Sequence, residues 1–283
     1  SSDSSYVVLS GTSMAAPHVS GAVALARARF PGESYRQTIN RVLRSVDPIP
    51  KYSGRVQTGG RLNLDRLLSS TSTLPFNDDY ASRARLAGEL IQVRASSTGA
   101  TTESGEPAHG GGAGASVWWT WTALTSGTVN IDTQGSAFDT VLAVYTGPSL
   151  GSLTVVAAND DANTQGTSSV SFFAQAGTTY QIAVGGKGGA GLVLLNLGSV
   201  PANDDFSNAS LLTDRNPIVT ATNAKASSQS GEPAHAGRSA SRSLWYRWVA
   251  PTTARYHAAA ASAQLNPVVA VYTGGTLGSL TPI

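Results

Sequence analysis

The sequence predicts a multidomain protein in which a short α/β segment precedes two all-β domains of the sandwich or jelly-roll type, the second of them truncated. Three observations predict this. Helical patterns are confined to the first 70 or so of the 283 residues. The remainder repeats itself at a domain-sized spacing of about 126 residues. Each repeat consists of short alternating segments separated by Gly, Asn, Asp and Pro, a pattern typical of antiparallel sandwiches.

The composition excludes several classes of function. Charged residues make up 13% of the chain and the net charge is +2, which is too small to favour nucleic acid as a partner. The chain has no cysteine, and this excludes a thiol nucleophile, a disulfide framework and a zinc–thiolate site. No apolar run is long enough to span a membrane. The chain opens on the polar "SSDSS" without a Met or a visible signal peptide, so we expect it to be cut from a longer polypeptide.

The first segment, residues 1–70, reads as a strand followed by helices. "YVVL" predicts a strand that leads into a turn at Gly11 and a helix from about Ser13 to Phe30. A second helix, ended by "DPIP", is predicted from the spacing of apolar residues on one face: Ile39, Val42, Leu43 and Val46. A third begins after the N-cap Asn63 and turns Leu64, Leu67 and Leu68 inward. Residues 71–75 are then a linker.

Two stretches, residues 76–200 (repeat 1) and 201–283 (repeat 2), share four motifs. "NDDY" returns as "NDDF", "SGEPAHGG" as "SGEPAHAG", "SVWWTWTA" as "SLWYRWVA" and "VLAVYTGPSLGSL" as "VVAVYTGGTLGSL". Repeat 2 stops at Ile283, which aligns with Val156, so its last strands are missing. Within repeat 1 the alternation predicts strands at 116–123, 128–133, 140–146, 168–173, 179–184 and 191–197.

The stretch "LSGTSMAAPHVSGAVAL", residues 9–25, raises the question of catalysis. A serine at a helix start is usually a cap, but "GTSMAAPHVSGAVAL" closely resembles the nucleophile segment of the subtilisin-like serine peptidases. The resemblance implies that Ser13 is the nucleophile and that its backbone amide helps to hold the oxyanion. The positive end of the helix dipole and the tight turn at Gly11 suit that role.

His18 follows on the same helix and is not the general base. Its side chain is expected to point away from the Ser13 hydroxyl, and the resemblance implies a structural, buried histidine. In this family the chain order is Asp, His, Ser, and only twelve residues precede Ser13. The triad Asp and His and the oxyanion Asn are therefore expected upstream, and this chain alone is expected to be inactive. The repeats hold three other histidines, which are poor replacements: His109, His235 and His257.

The end of the first segment supports the same resemblance. "GGRLNLDRLL" is similar to the way subtilisin-like catalytic domains finish. Residues 1–70 thus resemble the last quarter of a doubly wound α/β domain, and without the parallel sheet they are not expected to fold stably.

The repeats resemble the pre-peptidase C-terminal domains that follow the catalytic domain of many secreted bacterial peptidases. The resemblance implies a secreted, extracellular serine endopeptidase acting on proteins or peptides. The repeats would then be accessory modules for attachment or substrate binding, with a cell-surface or polysaccharide ligand, or a segment processed after secretion. A different class remains open: a non-catalytic extracellular binding or adhesion protein in which the modules are the function.

Aromatic and acidic residues of the repeats are the candidates for binding. "VWWTW" supplies Trp118, Trp119 and Trp121, and repeat 2 supplies Trp245, Tyr246 and Trp248. Because neighbouring strand residues face opposite sides, at least one Trp should lie outside the core unless another layer covers it; the alternative is that all pack the sandwich.

Chemistry at Ser13 requires no cofactor, but structural calcium is left open. Six acidic residues could offer oxygen ligands, namely Asp78, Asp79, Glu106, Asp139, Asp160 and Asp161. Asn-Asp-Asp is also ordinary turn chemistry. "GGKGGAG" leads into a strand and not a helix, so it predicts a hairpin and not a dinucleotide site.

Overall fold

The computed structural model describes residues 10–53, 55–111 and 114–283 and is mostly β, with few helices and several sheets. The strand predicted at "YVVL" lies outside the described residues. One compact unit contains the described residues up to Ser126 together with 131–197, and a second contains 127–130 and 198–283. No helix in the described part of the chain is long and apolar enough to cross a membrane.

Three helices and a small hairpin form the first segment. The helices are α1 (Thr12–Arg29), α2 (Tyr35–Arg44) and α3 (Leu64–Ser69), and β1 (Val46–Pro48) pairs antiparallel with β2 (Gly60–Leu62). Their small core joins Ala22 and Ala26 of α1 to Leu67, with Val42 and Leu62 packed against it. The rest of α1 is exposed apart from the half-buried Val23.

The second helix departs from its predicted apolar face. It ends at Arg44, so Val46 belongs to β1, and Ile39 is 48% exposed. Arg41 is buried in its place: the guanidinium pairs with Glu33 and lies 3.6 Å from the Phe30 ring centre. Val42 of the predicted face packs against the core, and the ion pair and ring contact of Arg41 anchor α2 in addition.

Repeat 1 holds two sheets that contain all six strands predicted for it, each within two residues of the predicted ends. In chain order the strands are β3 (Ala84–Leu86), β4 (Leu90–Ser96), β5 (Ser116–Thr122), β6 (Gly127–Asp132), β7 (Thr140–Thr146), β8 (Thr154–Asn159), β9 (Ser169–Ala174), β10 (Thr179–Gly186) and β11 (Leu192–Ser199). One sheet has the order β3-β5-β10-β7-β8 and the other β4-β11-β6-β9.

Aromatic side chains fill both faces of the first sheet. Tyr180 on β10 stacks on Trp121 and also contacts Phe172 on β9, so the two sheets of repeat 1 pack against each other. On the opposite face Trp118 packs edge-on against Tyr80, at 5.3 Å between ring centroids. The first sheet is consequently covered on both sides.

The described residues of repeat 2 have counterparts of two of the strand pairings of repeat 1, β3–β5 and β7–β8. β12 (Ser210–Leu212) runs parallel to β13 (Tyr246–Trp248), and β14 (Tyr272–Thr273) pairs antiparallel with β15 (Thr281–Pro282). Ser210 lies opposite Tyr246, as Ala84 lies opposite Trp119 in repeat 1. Much of the remaining chain in this repeat is irregular and exposed.

Candidate functional site

Ser13 is exposed and lies at the start of α1, as the second helical residue. Gly11 caps the helix with φ 144°, a backbone conformation that residues with a Cβ rarely adopt. Within the described residues, the first helical amide with a backbone acceptor is that of Met14, which donates to the Gly11 carbonyl over 3.0 Å. The amide of Ser13 therefore stands at the electropositive end of the helix, where an anion is stabilised.

Pro17 affects the same turn. It has no N–H, so the Ser13 carbonyl cannot receive the helical hydrogen bond from residue 17. The proline is the sixth helical residue and thus lies in the second turn.

His18 is engaged by its own helix. Its Nδ1 lies 2.8 Å from the carbonyl oxygen of Met14, one turn back. This contact points Nδ1 back along the helix at the Met14 carbonyl; that His18 is not the general base stays a prediction. The predicted burial of His18 is wrong in this structure: the side chain is exposed, since only Ala22 and Ala26 of α1 are buried against α2 and α3.

Two of the other histidines, one in each repeat, each belong to a hydrogen-bonded network that the sequence analysis did not predict. In repeat 1, His109 Nε2 lies 2.9 Å from Glu106 Oε1, and His109 Nδ1 lies 2.7 Å from the Tyr145 hydroxyl. Ser116 donates its hydroxyl to the same Glu106 oxygen, and the Glu103 amide donates to Oε2 over 2.7 Å. The side chains of Glu106 and His109 are each 1% exposed.

The carboxylate of this network is held ionised. Burial would raise the pKa of Glu106, but hydrogen bonds from His109, Ser116 and the Glu103 amide outweigh it and hold the pKa below its usual value. Burial, and next the negative charge of Glu106, raise the pKa of the Tyr145 hydroxyl. The network thus joins the 103–109 loop to β5 and β7 without access for a substrate.

The corresponding residues of repeat 2 form the same contacts. His235 Nε2 lies 2.8 Å from Glu232 Oε1, and His235 Nδ1 lies 2.9 Å from the Tyr272 hydroxyl. Ser243 approaches His235 Nε2 at 3.1 Å. A signal was present in the sequence, because Glu, His, Tyr and Ser are among the polar residues retained in the repeated motifs.

Three of the six acidic residues considered for calcium come together. One carboxylate oxygen from each of Asp139, Asp160 and Asp161 lies within 4.8 Å of the other two. The Lys187 ammonium is 2.5 Å from Asp160 Oδ2. A lysine cation therefore offsets part of the negative charge of this cluster.

The remaining three acids lie elsewhere. Asp78 accepts hydrogen bonds from the amide and the hydroxyl of Thr101, at 2.7 and 2.8 Å. Asp79 forms an ion pair with Arg44 over 3.6 Å, and Glu106 belongs to the histidine network. A six-acid calcium site is therefore not assembled.

The tryptophans of repeat 1 are core residues. Trp118 and Trp119 are fully buried and Trp121 is 2% exposed, so the alternative that all pack the sandwich is correct. The layer that covers Trp118 is formed by side chains outside the facing sheet: Tyr80, His109, Leu150 and Leu153. No tryptophan of repeat 1 offers a surface on which a sugar or peptide could stack.

Comparison with known proteins gives a likeness over the first segment of the chain. Residues 1–71 match the Subtilase family. Over 60 residues the chain is 37% identical to Subtilisin-like protease 1 of Plasmodium berghei (strain Anka), a stretch covering 21% of this chain and 10% of that protein. The chain thus spans about a tenth of the length of this subtilase relative.

Solved structures give weaker likenesses. The pre-peptidase C-terminal domain of collagenase from Bacillus anthracis is 16% identical, with 40% of this chain and 91% of that domain covered and a TM-score of 0.28. PliG of Aeromonas hydrophila, a periplasmic inhibitor of g-type lysozyme, is 15% identical over 40% of this chain and 92% of its own, also with a TM-score of 0.28. Neither score is high enough to support an argument about this chain.

Proposed function

We propose that this chain is the C-terminal portion of a secreted subtilisin-like serine endopeptidase with Ser13 as its nucleophile. The observation that carries the proposal is the subtilase match over residues 1–71, which includes Ser13 at the start of a helix. In the intact enzyme Ser13 Oγ attacks the peptide carbonyl and forms an acyl-enzyme, which water then hydrolyses.

The other catalytic groups are expected upstream of this chain. A histidine takes the proton of Ser13 and passes it to the leaving amine, while an aspartate orients that histidine. The Ser13 amide and an upstream asparagine stabilise the oxyanion. No cofactor takes part in this chemistry.

The exposure of α1 supports a larger catalytic domain. Its apolar residues Met14, Val19 and Leu25 are 40%, 41% and 48% exposed, and only two alanines are buried. A helix that is apolar on most sides is normally covered by other layers of its domain. The upstream part of a doubly wound domain would supply that cover.

We further propose that repeats 1 and 2 are tandem copies of one sandwich module of the pre-peptidase C-terminal type. Their shared β3–β5 register and their matching Glu–His–Tyr networks support this proposal. The modules would serve attachment to a cell surface or polysaccharide, or substrate capture. Structural calcium remains a proposal for the Asp139, Asp160 and Asp161 cluster, where it would have to displace Lys187.

The test begins with the coding sequence upstream of Ser1. It should contain a signal peptide and an Asp, a His and an Asn in subtilase context. The complete product should react with a fluorophosphonate, Ser13→Ala should abolish labelling, and the control His18→Ala should retain it. The 283-residue chain alone should not label. Labelling of the short chain, or of the complete Ser13→Ala enzyme, would refute the role given to Ser13.

The adhesion alternative is weaker because its aromatic binding surface is absent from repeat 1, where the tryptophans are buried. Binding or adhesion by the repeats would become the proposed function if the upstream coding sequence lacked the His or the Asp.

A further inference from the structure

A cleft with a volume of about 360 Å³ lies where the loop between β1 and β2 meets the start of β3. Its size falls in the range of about 300–1,000 Å³ that is usual for sites that hold small ligands or side chains. One wall is apolar and the other is cationic. The residues that form these two walls are Pro48, Ile49, Pro50 and Val56 on the loop side and Arg83 and Arg85 on the strand side. We call this site the arginine cleft.

The charge around the cleft has one sign. Residues 48–59 contain Lys51 and Arg55 and no acidic residue, and residues 80–88 contain Arg83 and Arg85 and no acidic residue. Within the described residues these four cations form no ion pair. Because the net charge of the whole chain is only +2, this is a local concentration of positive charge that attracts anions.

The acids that flank the two segments are engaged by other arginines. Asp47 pairs with Arg61 and Arg66, at 3.6 and 3.3 Å, and its carboxylate also accepts from the Asn63 amide. Asp79 pairs with Arg44 over 3.6 Å. The cationic wall of the cleft therefore keeps its charge available for a ligand.

The apolar wall is preformed by hydrogen bonds within the loop. The Ile49 amide donates to the Gly59 carbonyl over 3.0 Å and closes the loop at its base. The amides of Tyr52 and Gly59 donate to the carbonyls of Ile49 and Val56, at 2.8 and 3.1 Å. A ligand that binds here would pay little to order this wall, although Val56 is 45% exposed.

One of the two arginines is also held in place. Arg83 Nη1 donates to the Tyr80 carbonyl over 2.7 Å, and the guanidinium lies 4.2 Å from the centre of the Tyr80 ring. Its Nε is buried and has no hydrogen-bond partner among the described residues, which is uncommon for a buried donor. Arg85 is exposed and lies two positions further along, on the same side of an extended chain.

We propose that the arginine cleft binds an acidic peptide segment. A carboxylate of the peptide pairs with Arg83 and Arg85, whose planar guanidinium groups match a carboxylate better than an ammonium does. A neighbouring aliphatic side chain of the peptide packs against the apolar wall. The apolar wall favours a peptide over a sulfated or phosphorylated polymer, which would leave that wall unused. The inference does not depend on the role of Ser13 as a nucleophile.

Binding is measured by fluorescence anisotropy on the complete product of the coding sequence, carrying Ser13→Ala so that no peptide is cut. The probe is a fluorescein-labelled, amidated peptide of sequence GSLEELSG. Two matched peptides, GSLQQLSG and GSSEESSG, remove the carboxylates and the aliphatic side chains in turn. We expect GSLQQLSG to bind about tenfold more weakly or worse, and GSSEESSG to bind severalfold more weakly.

Protein variants place the peptide in the cleft. Arg85→Gln should weaken binding of GSLEELSG about tenfold, and Arg85→Lys, which keeps the charge but loses the planar fork, should weaken it by less. Arg215→Gln is the charge-matched control, because Arg215 is an exposed arginine of repeat 2 that does not line the cleft, and it should leave the affinity unchanged. Val56→Ser should weaken binding of GSLEELSG severalfold and leave that of GSSEESSG unchanged.

Three outcomes would overturn the proposal. The first is equal affinity for GSLEELSG and GSLQQLSG. The second is an equal effect of Arg85→Gln and Arg215→Gln, which would mean that the peptide follows net charge and not this cleft. The third is Arg85-dependent binding of a heparin oligosaccharide in the absence of peptide binding, which would make a sulfated polymer the occupant. Fluorophosphonate labelling of Ser13 is a separate measurement, so failure of the peptidase proposal would be recognised independently.

Discussion

Replacing Glu106 by Gln tests whether the buried histidine network holds repeat 1 together. The carboxylate accepts three hydrogen bonds, from His109, Ser116 and the Glu103 amide. Gln offers one acceptor oxygen, so its NH₂ group must face at least one of these donors. Glu232→Gln makes the matched change in repeat 2, where His235 is 18% exposed and water can replace a lost partner.

The size of the effect follows from those three bonds. A hydrogen bond to a charged group contributes roughly 1.5–3 kcal/mol and a neutral one about 0.5–1.5. Because Gln is neutral, the hydrogen bonds that remain are weaker, and one buried donor is left unpaired. Removing the charge also removes part of the free-energy cost of burying it, which offsets some of this loss. We expect Glu106→Gln to destabilise repeat 1 by about 2–4 kcal/mol, and Glu232→Gln to destabilise repeat 2 by about half as much.

Native-state hydrogen exchange measures the stability of each repeat separately, whereas a single denaturation midpoint does not distinguish them. Amides of β5 and β7 should exchange roughly 30- to 1,000-fold faster in Glu106→Gln, which is 2–4 kcal/mol at 1.4 kcal/mol per factor of ten. Amides of β13 should be unaffected by that substitution and respond to Glu232→Gln. An increase below threefold in β5 and β7 would show that the network is incidental to stability.

The lowered pKa of Glu106 predicts that the stability of repeat 1 depends on pH, and Glu106→Gln tests this. The pKa of Glu106 is lowered in the folded state, so its stabilisation is present above the unfolded pKa of about 4.3 and is lost as the pH falls further. Asp78 has the opposite effect. Burial raises the pKa of its carboxyl in the folded state, so the stability that Asp78 contributes is lost as the pH rises through this raised pKa. Between pH 7 and about 3, the urea midpoint of Glu106→Gln should fall less than that of the unmodified chain. An equal fall would contradict the assignment.

Three further substitutions test the packing, each as a change in unfolding free energy. Trp118→Ala should cost about 3–5 kcal/mol because the ring is fully buried, while Trp248→Ala, at a half-buried site, should cost roughly 1–2. Gly147→Ala should cost about 2 kcal/mol or more, since φ is +127° and a Cβ would lie 2.4 Å from a backbone oxygen; Gly151→Ala, with open space, should stay within about 0.5. Asn63→Ala removes the N-cap of α3 and should cost about 1 kcal/mol. A Trp248→Ala cost equal to that of Trp118→Ala, or a Gly147→Ala cost equal to that of Gly151→Ala, would contradict the packing described.

Six strands of repeat 1 could be predicted because both of their signals are local, whereas β3, β4 and β8 were not predicted. Apolar alternation marks the strand, and the following Gly, Asn or Asp marks the turn, so β7 was predicted at its observed bounds. The face of α2 could not be predicted in the same way, because Arg41 is buried by partners on other segments, Glu33 and Phe30. Pairing at a distance of that kind leaves no periodic trace in the sequence.

The same distinction between local signals and distant partners applies to the candidate site. Ser13 could be proposed as the nucleophile because its neighbours form one continuous motif at the start of α1. The Glu106 network could not, because its members are spread from Glu103 to Tyr145 and meet only when β5 and β7 come together around the loop. Repetition was the available signal, since a polar residue retained in two otherwise diverging copies has a partner to satisfy.

The two repeats also separate intrinsic strand preference from the effect of neighbours. The sequences of β7 and its counterpart differ at one position between Val141 and Gly147, yet only two residues of the counterpart, Tyr272 and Thr273, are in a strand. Those two pair with β15, the neighbour that repeat 2 retains, as Tyr145 and Thr146 pair with β8. Where no strand of the described residues takes the place of β10, the same valines are irregular and exposed. Strand formation here therefore follows the presence of a pairing partner more closely than it follows β propensity.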